Sequence, residues 1–178
     1  MNKWKLEKLF QELGFQDFKW VDPNNIKVAQ WVRMKCQFGC DDYGSRACCP
    51  PNMPTKAECE EFIKEYSTGV VFHFENVTPR KTDRTKWYKK VNPTLLELER
   101  RVFLMGHPKA LIIFMSHCVA CKDCVSDVKD CRHPEKRRPS PEGLCIDVFT
   151  TVRELGYPIE VLTDYKQTMN RYAFLLIE

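Results

Sequence analysis

The hydrophobic positions near the start of the chain repeat with the period of an α-helix. They are separated by three, four and seven residues and stop at Gly14, a common helix terminator. The apolar residues concerned are Trp4, Leu6, Leu9, Phe10 and Leu13. The spacing predicts an amphipathic helix from Lys3 to Leu13 whose apolar side packs on a core.

The next two segments surround a first group of cysteines. After a turn cluster, Ile26 to Lys35 is expected to be extended. Residues Cys36 to Met53 contain two glycines and two prolines but no periodicity, which predicts an irregular loop. Thr55 and Glu58 then have the spacing of a capping box, and Cys59 lies on the apolar stripe of the helix that follows. We therefore expect Cys59 to be a core residue and not a metal ligand.

The rest of the chain alternates strand-like and helix-like segments. Strands are predicted at Val70–Phe74, Ala110–Met115, Ile159–Leu162 and Tyr172–Ile177, a charged connection at Arg80–Lys90, and helices from Asn92-Pro93 to Gly106 and over Ile146–Leu155. This order predicts an α+β fold: a single domain over residues 1–178, with a four-stranded mixed sheet covered by helices and two cysteine-bearing irregular loops. Residues 1–53 would hold the first helix and the first cysteine loop, and residues 54–178 the sheet, the other helices and the second cysteine loop.

The composition shows that cysteine is not needed for folding. A chain of 178 residues with 43% hydrophobic residues can bury an ordinary core without cross-links, yet it contains ten cysteines. The N-terminal residues alternate charged and apolar side chains, unlike a secretory signal, and no apolar run approaches the roughly 20 residues that cross a bilayer. We therefore expect a cytoplasmic protein, not bound to a membrane, whose thiols bind metal or react. The net charge of +4 is too small to predict nucleic-acid binding.

The second group of cysteines has the spacing of an iron–sulfur site. Cys118, Cys121 and Cys124 form C-x2-C-x2-C, and Cys131 follows after six residues. Bacterial ferredoxins share the first spacings, but their fourth cysteine follows sooner and ligates another cluster; the wider gap here favours one cluster, [4Fe–4S], held by all four. Zinc is the main alternative, although zinc sites made of four cysteines usually present two separated pairs. Structural or reactive thiols are the remaining interpretation.

A basic stretch, Arg132 to Arg138, follows the last of these cysteines. A cluster with four thiolate ligands is an anion, so neighbouring cations stabilise it and tune its potential. Arg132 adjoins a ligand and is therefore expected to bind near the cluster. Lys136 and Arg137 are interpreted as members of a solvated basic loop.

The first group contains four cysteines within fourteen residues. Cys36 and Cys40 form C-x3-C, and Cys48 and Cys49 follow before two prolines. No further cysteine comes two residues after Cys40, so the pattern departs from the radical-SAM spacing. A loop bent by glycine and proline can turn its backbone amides toward sulfur, which favours a second metal site. Any one of these cysteines could instead pack as a small hydrophobe, but four so close together are less consistent with that interpretation.

Together these motifs resemble a known family over nearly the whole chain. The matching segments are Lys35-Cys36-x2-Gly39-Cys40-x2-Tyr43-Gly44, Cys49-Pro50-Pro51, Cys118-x2-Cys121-x2-Cys124, Cys131-Arg132-x-Pro134, Arg138-Pro139-Ser140-x-Glu142 and Ile146-Asp147-Val148. They are similar to predicted metal-binding proteins of unknown function that are widespread in anaerobic archaea and bacteria. The resemblance implies an iron–sulfur role and seven ligands, at Cys36, Cys40, Cys49, Cys118, Cys121, Cys124 and Cys131. Cys48 and Cys59 lie outside its pattern, and Cys145 stands where the family has glycine.

The seven ligands divide into four in the second group and three in the first, so the first group lacks a fourth ligand. If Cys48 or another protein group completes it, we expect an electron-transfer protein with one or two clusters and a redox partner protein. If the position is open, an exposed metal favours an enzyme or an assembly factor, whereas zinc would favour a metal-stabilised interaction module. No motif for another cofactor is present. We expect the two cysteine loops to pack near each other, with Arg132 close to the thiolates.

Overall fold

Five α-helices and four strands are the main elements of the described part of the chain, residues 1–78 and 80–178 of this computed structural model. The helices are α1 (Lys3–Glu12), α2 (Gln30–Gly39), α3 (Lys56–Lys64), α4 (Lys81–Leu104) and α5 (Val148–Glu154). The strands are β1 (Phe18–Val21), β2 (Gly69–Val77), β3 (Leu111–Ile113) and β4 (Thr168–Leu176). The predicted α+β class with a four-stranded sheet is confirmed.

The four strands form one sheet in the order β1-β2-β4-β3. Phe18 pairs with Phe72, Val70 with Leu175, and Ile113 with Phe174, and all three strand pairs are antiparallel. The expectation of a mixed sheet is therefore wrong. Strands β2 and β3 do run parallel to each other, but the C-terminal strand β4 lies between them and makes both of its pairings antiparallel.

Helices cover both faces of this sheet. On one face, α1 and α4 pack against the strands through Phe10, Leu95 and Phe72. On the other face, α3 and α5 pack through Ile63 and Val152. The strand segments of the core are buried on both sides because each face has its own hydrophobic layer.

Several predicted helix ends are confirmed in atomic detail. Gly14 and Gly106 follow α1 and α4 with φ of +88° and +98°, a conformation that glycine adopts without a Cβ penalty. The capping box of α3 is complete: the Thr55 N–H donates to Glu58 Oε2 at 2.7 Å, and the Glu58 N–H donates to Thr55 Oγ1 at 3.3 Å.

Helix α2 occupies most of the segment that was predicted to be extended. It begins at Gln30, so Cys36 lies on a helix and not at the start of an irregular loop. Val32 is buried, and the Arg33 guanidinium donates to the carbonyls of Pro54 at 2.8 Å and Gly143 at 3.0 Å. These contacts with distant parts of the chain stabilise the helix, and no local pattern reveals them.

Helix α4 begins at Lys81 and continues through Pro93, so the prediction of a charged connection followed by a helix start at Asn92 is wrong. A proline inside a helix costs about 3 kcal/mol. Tyr88 before it and Leu95 and Leu98 after it are all buried, and each buried side chain of this size contributes about 1.5–3 kcal/mol. Packing along the whole helix therefore outweighs the proline.

The predicted strand Ile159–Leu162 is absent from the described structure, and β1 takes its place in the sheet. Ile159 is buried as its pattern indicated, but its carbonyl accepts from the Arg153 guanidinium at 3.1 Å and not from a strand. None of the described helices combines the length and the apolar character needed to cross a membrane.

Candidate metal centre

The first group of cysteines lies where α2 ends. Cys36 is on the last turn of the helix and Cys40 directly follows it, so C-x3-C places both thiols one helical turn apart. Gly44, with φ of +71°, then reverses the chain, and its N–H donates to the Pro50 carbonyl at 3.0 Å. This turn brings Cys49 back toward the other two thiols. Burial, together with the charges of Cys40 and Cys36, raises the pKa of Cys49 to about 11.

Cys48 points away from this group although it adjoins Cys49. It is 8% exposed, and its thiol hydrogen-bonds with the Cys118 sulfur, with Cys131 near enough to act on it electrostatically. The bond raises the pKa of Cys48 and lowers that of Cys118, because the shared proton stays on Cys48. In this structure Cys48 is therefore a fifth thiol of the second group and does not complete the first.

The second group occupies the long loop that follows the edge strand β3. The loop is closed at its base, where the Phe114 N–H donates to the Pro139 carbonyl at 2.9 Å. The Cys118 sulfur accepts hydrogen bonds from the backbone N–H groups of Ala120 and Arg138. Cys121, Cys124 and Cys131 are also free thiols and are all half-buried. Thiols with backbone donors and partial exposure have the surroundings in which cysteine binds metal.

The two cysteine loops pack against each other, as expected. Besides the contact between Cys48 and Cys118, Asn52 Nδ2 donates to the Ser126 carbonyl at 2.5 Å. The thiols of the two groups, far apart in sequence, therefore share one region of the surface. Open sheets commonly hold their functional groups in such loops beyond the strand ends.

Arg137 and Arg46, neither of which was expected to act at the thiols, both influence them electrostatically. Arg137, interpreted as part of a solvated loop, is half-buried, donates to the Val128 carbonyl at 2.6 Å and acts on Cys48. Arg46 acts on both Cys49 and Cys118. Arg132, the predicted cluster-binding residue, donates to the Asp123 carbonyl between Cys121 and Cys124.

Arg138 connects the second loop to the core. Its Nε donates to Glu99 Oε2 at 2.8 Å, and the same carboxylate oxygen accepts from the Ile112 N–H at 2.7 Å. The pair joins α4, β3 and the end of the loop. The hydrogen bond with the Glu99 carboxylate raises the pKa of Arg138, so the Arg138 guanidinium stays charged beside the thiols.

Two more cysteines form a separate buried pair. Cys59 is fully buried on α3, as predicted, and hydrogen-bonds with Cys145. The Arg33 guanidinium donates to the Cys145 sulfur at 3.2 Å. Cys145 has φ of 58°, the left-handed conformation that favours glycine, which explains why glycine suits this position.

The donors fit a thiolate-bound metal in their chemistry. All ten cysteines are free, and the Nε of Arg46 is buried beside them without a hydrogen-bond acceptor among the described residues. Within residues 1–78 and 80–178, however, no three of the His, Cys, Asp and Glu side chains are positioned to hold a metal ion as they stand. A metal would have to draw the thiols together, as it does in sites where metal binding is coupled to folding.

This fold and this donor set define a cysteine-rich α+β protein with two adjoining groups of free thiols. The chain belongs to the family described as predicted metal-binding protein (DUF2284), which matches residues 19–177. No curated protein and no solved structure gives a significant match to it. Metal binding is thus the predicted role of the family, and the donor chemistry of the thiols agrees with it.

Proposed function

We propose that the protein is an iron–sulfur electron carrier with two metal centres. Cys118, Cys121, Cys124 and Cys131 would hold a [4Fe–4S] cluster, and Cys36, Cys40 and Cys49 would hold the second centre. When bound, such a cluster accepts and donates single electrons. The protein's own residues supply the ligands, hydrogen bonds to sulfur and the surrounding charge.

The observation that carries this proposal is the position of Arg46. Its charge acts on a thiol of each group, and its buried Nε has no acceptor among the described residues. Leaving such a donor unsatisfied costs about 1–3 kcal/mol, so an acceptor is expected there. Thiolate or sulfide bound to a metal would provide one and would also balance the charge.

The packing of the two loops supports electron exchange between centres. Cys48 and Cys49 have Cα atoms about 3.8 Å apart, as all neighbours do, yet their thiols belong to different groups. Centres held on opposite sides of one peptide would lie within tunnelling range of each other. Two linked centres suit a protein that receives an electron on one side and donates it on the other.

A redox partner protein is part of this proposal. Helix α2 exposes Trp31, Met34 and Phe38 beside Cys40, with Phe38 79% exposed. Exposed apolar side chains grouped in this way are typical of surfaces that bind another protein. A partner docked there would shield the first centre and exchange electrons with it.

Anaerobic purification with iron, zinc and acid-labile sulfide analysis tests the cluster. We expect brown protein with about four iron and four sulfide per cluster. Cys121→Ser should lose most of the iron and sulfide of this cluster, whereas the matched control Cys59→Ser should keep them. Colourless anaerobic protein with stoichiometric zinc and no sulfide would refute the proposal and favour a zinc-stabilised module.

Arg46 provides a second, independent readout. A cation near a cluster stabilises its reduced form, so Arg46→Gln should lower the reduction potential. Lys64→Gln makes the same change of charge on the exposed side of α3 and should leave the potential unchanged. An unaltered reduction potential in Arg46→Gln would mean that the charge of this arginine does not act on the cluster.

A further inference from the structure

A cavity of about 250 Å³ opens onto the first group of cysteines. Cys36 and Cys40 form part of its wall, and Trp31, Phe149 and Ile159 contribute apolar surface to the same cavity. An apolar cavity of about 150 Å³ is large enough to bind benzene. The cavity beside the thiols therefore has room for a small organic molecule in contact with them.

The first group has three thiols, and the two other cysteines close to it, Cys48 and Cys145, both have partners elsewhere. Cys48 hydrogen-bonds with Cys118 in the other group, and Cys145 is buried against Cys59 and Arg33. A metal with three protein ligands keeps one position for a small molecule. That position would face the cavity, because two of the three thiols line it.

The cavity is lined by two basic side chains and one acidic side chain, so its net charge is positive. Lys35, Arg171 and Glu142 line it, and neither Lys35 nor Arg171 is within ion-pair distance of a carboxylate in the part of the chain that the structure describes. The charges that favour the Cys36 and Cys49 thiolates come from Arg33 and Arg46 instead. Lys35 and Arg171 are thus available to a ligand, and guanidinium groups bind carboxylates well.

The open edge of the sheet adds backbone hydrogen-bonding groups. Strand β3 pairs with β4 only between Leu111–Ile113 and Phe174–Leu176. Beyond that point Asn170 and Tyr172 on β4 have no neighbouring strand on this side among the described residues, and both line the cavity. An unpaired strand edge offers N–H donors to the oxygens of a ligand.

We propose that this cavity binds a small organic carboxylate with an apolar body, in contact with the metal centre held by Cys36, Cys40 and Cys49. The carboxylate binds near Lys35 and Arg171, and the apolar body packs on Trp31 and Phe149. This inference rests on the proposed metal centre and makes the first group a ligand-binding site as well as a redox site.

Titration of the anaerobic, metal-loaded protein with benzoate tests the inference, with iron, zinc and sulfide measured on the same sample. Benzoate should change the fluorescence of Trp31, a change that Trp31→Phe abolishes, and should alter the visible absorption of the metal centre. Benzamide has the same shape without the charge. It should therefore bind at least about tenfold more weakly than benzoate. Inorganic phosphate should not compete, since it lacks the apolar body.

Single substitutions that remove a charge test whether Lys35 and Arg171 bind the carboxylate. Lys35→Gln, at an exposed position, and Arg171→Gln should each weaken benzoate binding about tenfold, whereas Lys64→Gln on α3 should not. Glu142→Gln should leave the metal content unchanged, because a ligand and not Glu142 takes the open position.

Four results would overturn the inference while leaving the metal centre in place: no saturable benzoate signal, equal binding of benzamide, competition by phosphate, or an unchanged metal spectrum. Loss of metal in Glu142→Gln would also overturn the inference, because Glu142 would then be the fourth ligand of the metal and no position would be open to benzoate. A sample without metal at the first group would instead contradict the proposed function, so the two failures are distinguishable.

Discussion

Replacing Arg138 by methionine should lower the free energy of unfolding by about 3 kcal/mol. Glu99 is 9% exposed and accepts hydrogen bonds from two nitrogens of Arg138 and from the Ile112 N–H. Methionine keeps an apolar stem but removes the guanidinium. The carboxylate would then stay buried with a single donor.

The magnitude follows from the burial of the pair. Removing one partner of a buried ion pair costs about 3–5 kcal/mol. The side chains of Arg138 and Glu99 keep 19% and 12% of their exposure, so some solvation of the carboxylate persists and the lower value applies. In the double variant Glu99→Gln/Arg138→Met the stranded charge is gone and an oxygen still accepts from Ile112. The free energy of unfolding of this double variant should be only about 1–2 kcal/mol below that of the unmodified protein.

Urea unfolding followed by circular dichroism measures these differences. A chelator and a thiol reductant are present throughout, so that bound metal does not contribute to stability. Arg100→Met is the matched control: Arg100 is on α4, next to Glu99, and pairs with Glu97 at 3.6 Å on the surface, so its loss should cost less than about 1 kcal/mol. A cost below about 1 kcal/mol for Arg138→Met, or a double variant as unstable as the single one, would refute the reasoning.

Three further predictions concern single residues in the core. Cys59→Ala should leave the iron, zinc and sulfide content unchanged, because Cys59 is buried on α3 and bonds to Cys145. Cys145→Gly should be more stable to urea than Cys145→Ala by about 1 kcal/mol, since φ of 58° strains alanine but not glycine. Asn92→Leu should raise the free energy of unfolding by about 1–2 kcal/mol, because this amide is 5% exposed and neither of its polar atoms has a hydrogen-bond partner in the described structure.

Each of these predictions has a contrary result. Loss of metal from Cys59→Ala with an unchanged circular dichroism spectrum would assign Cys59 to a metal site. Equal stability of the two Cys145 variants would mean that the backbone there relaxes. A less stable Asn92→Leu would indicate that ordered water or a ligand satisfies the amide.

Local sequence determined the elements whose causes are local. The capping box of Thr55 and Glu58 and the glycine after α1 act within a few residues, and both were predicted correctly. The burial of Cys59 followed from the helical period alone. The strand after Gly69 and the C-terminal strand were also recognised, because their apolar runs reflect burial on both faces of the sheet.

Elements stabilised from a distance were predicted incorrectly. Helix α2 depends on Arg33 bonding to carbonyls at Pro54 and Gly143, and α4 continues through Pro93 because buried side chains on both sides of it outweigh the proline. The direction of each strand pair was decided by where β4 inserts. Tertiary contacts of this kind override local propensity and leave no periodic signal in the chain.

The cysteine spacings by themselves determined that the chain has two groups of thiols suited to metal. Only the tertiary structure decided which group each thiol joins, since Cys48 and Cys49 are neighbours in sequence but Cys48 bonds to Cys118 whereas Cys36 and Cys40 act on Cys49. The same holds for Arg46 and Arg138, whose charges reach thiols through folding and not through adjacency. Spacing records which residues can share a site, whereas the direction of each side chain depends on backbone angles and packing that the whole fold imposes.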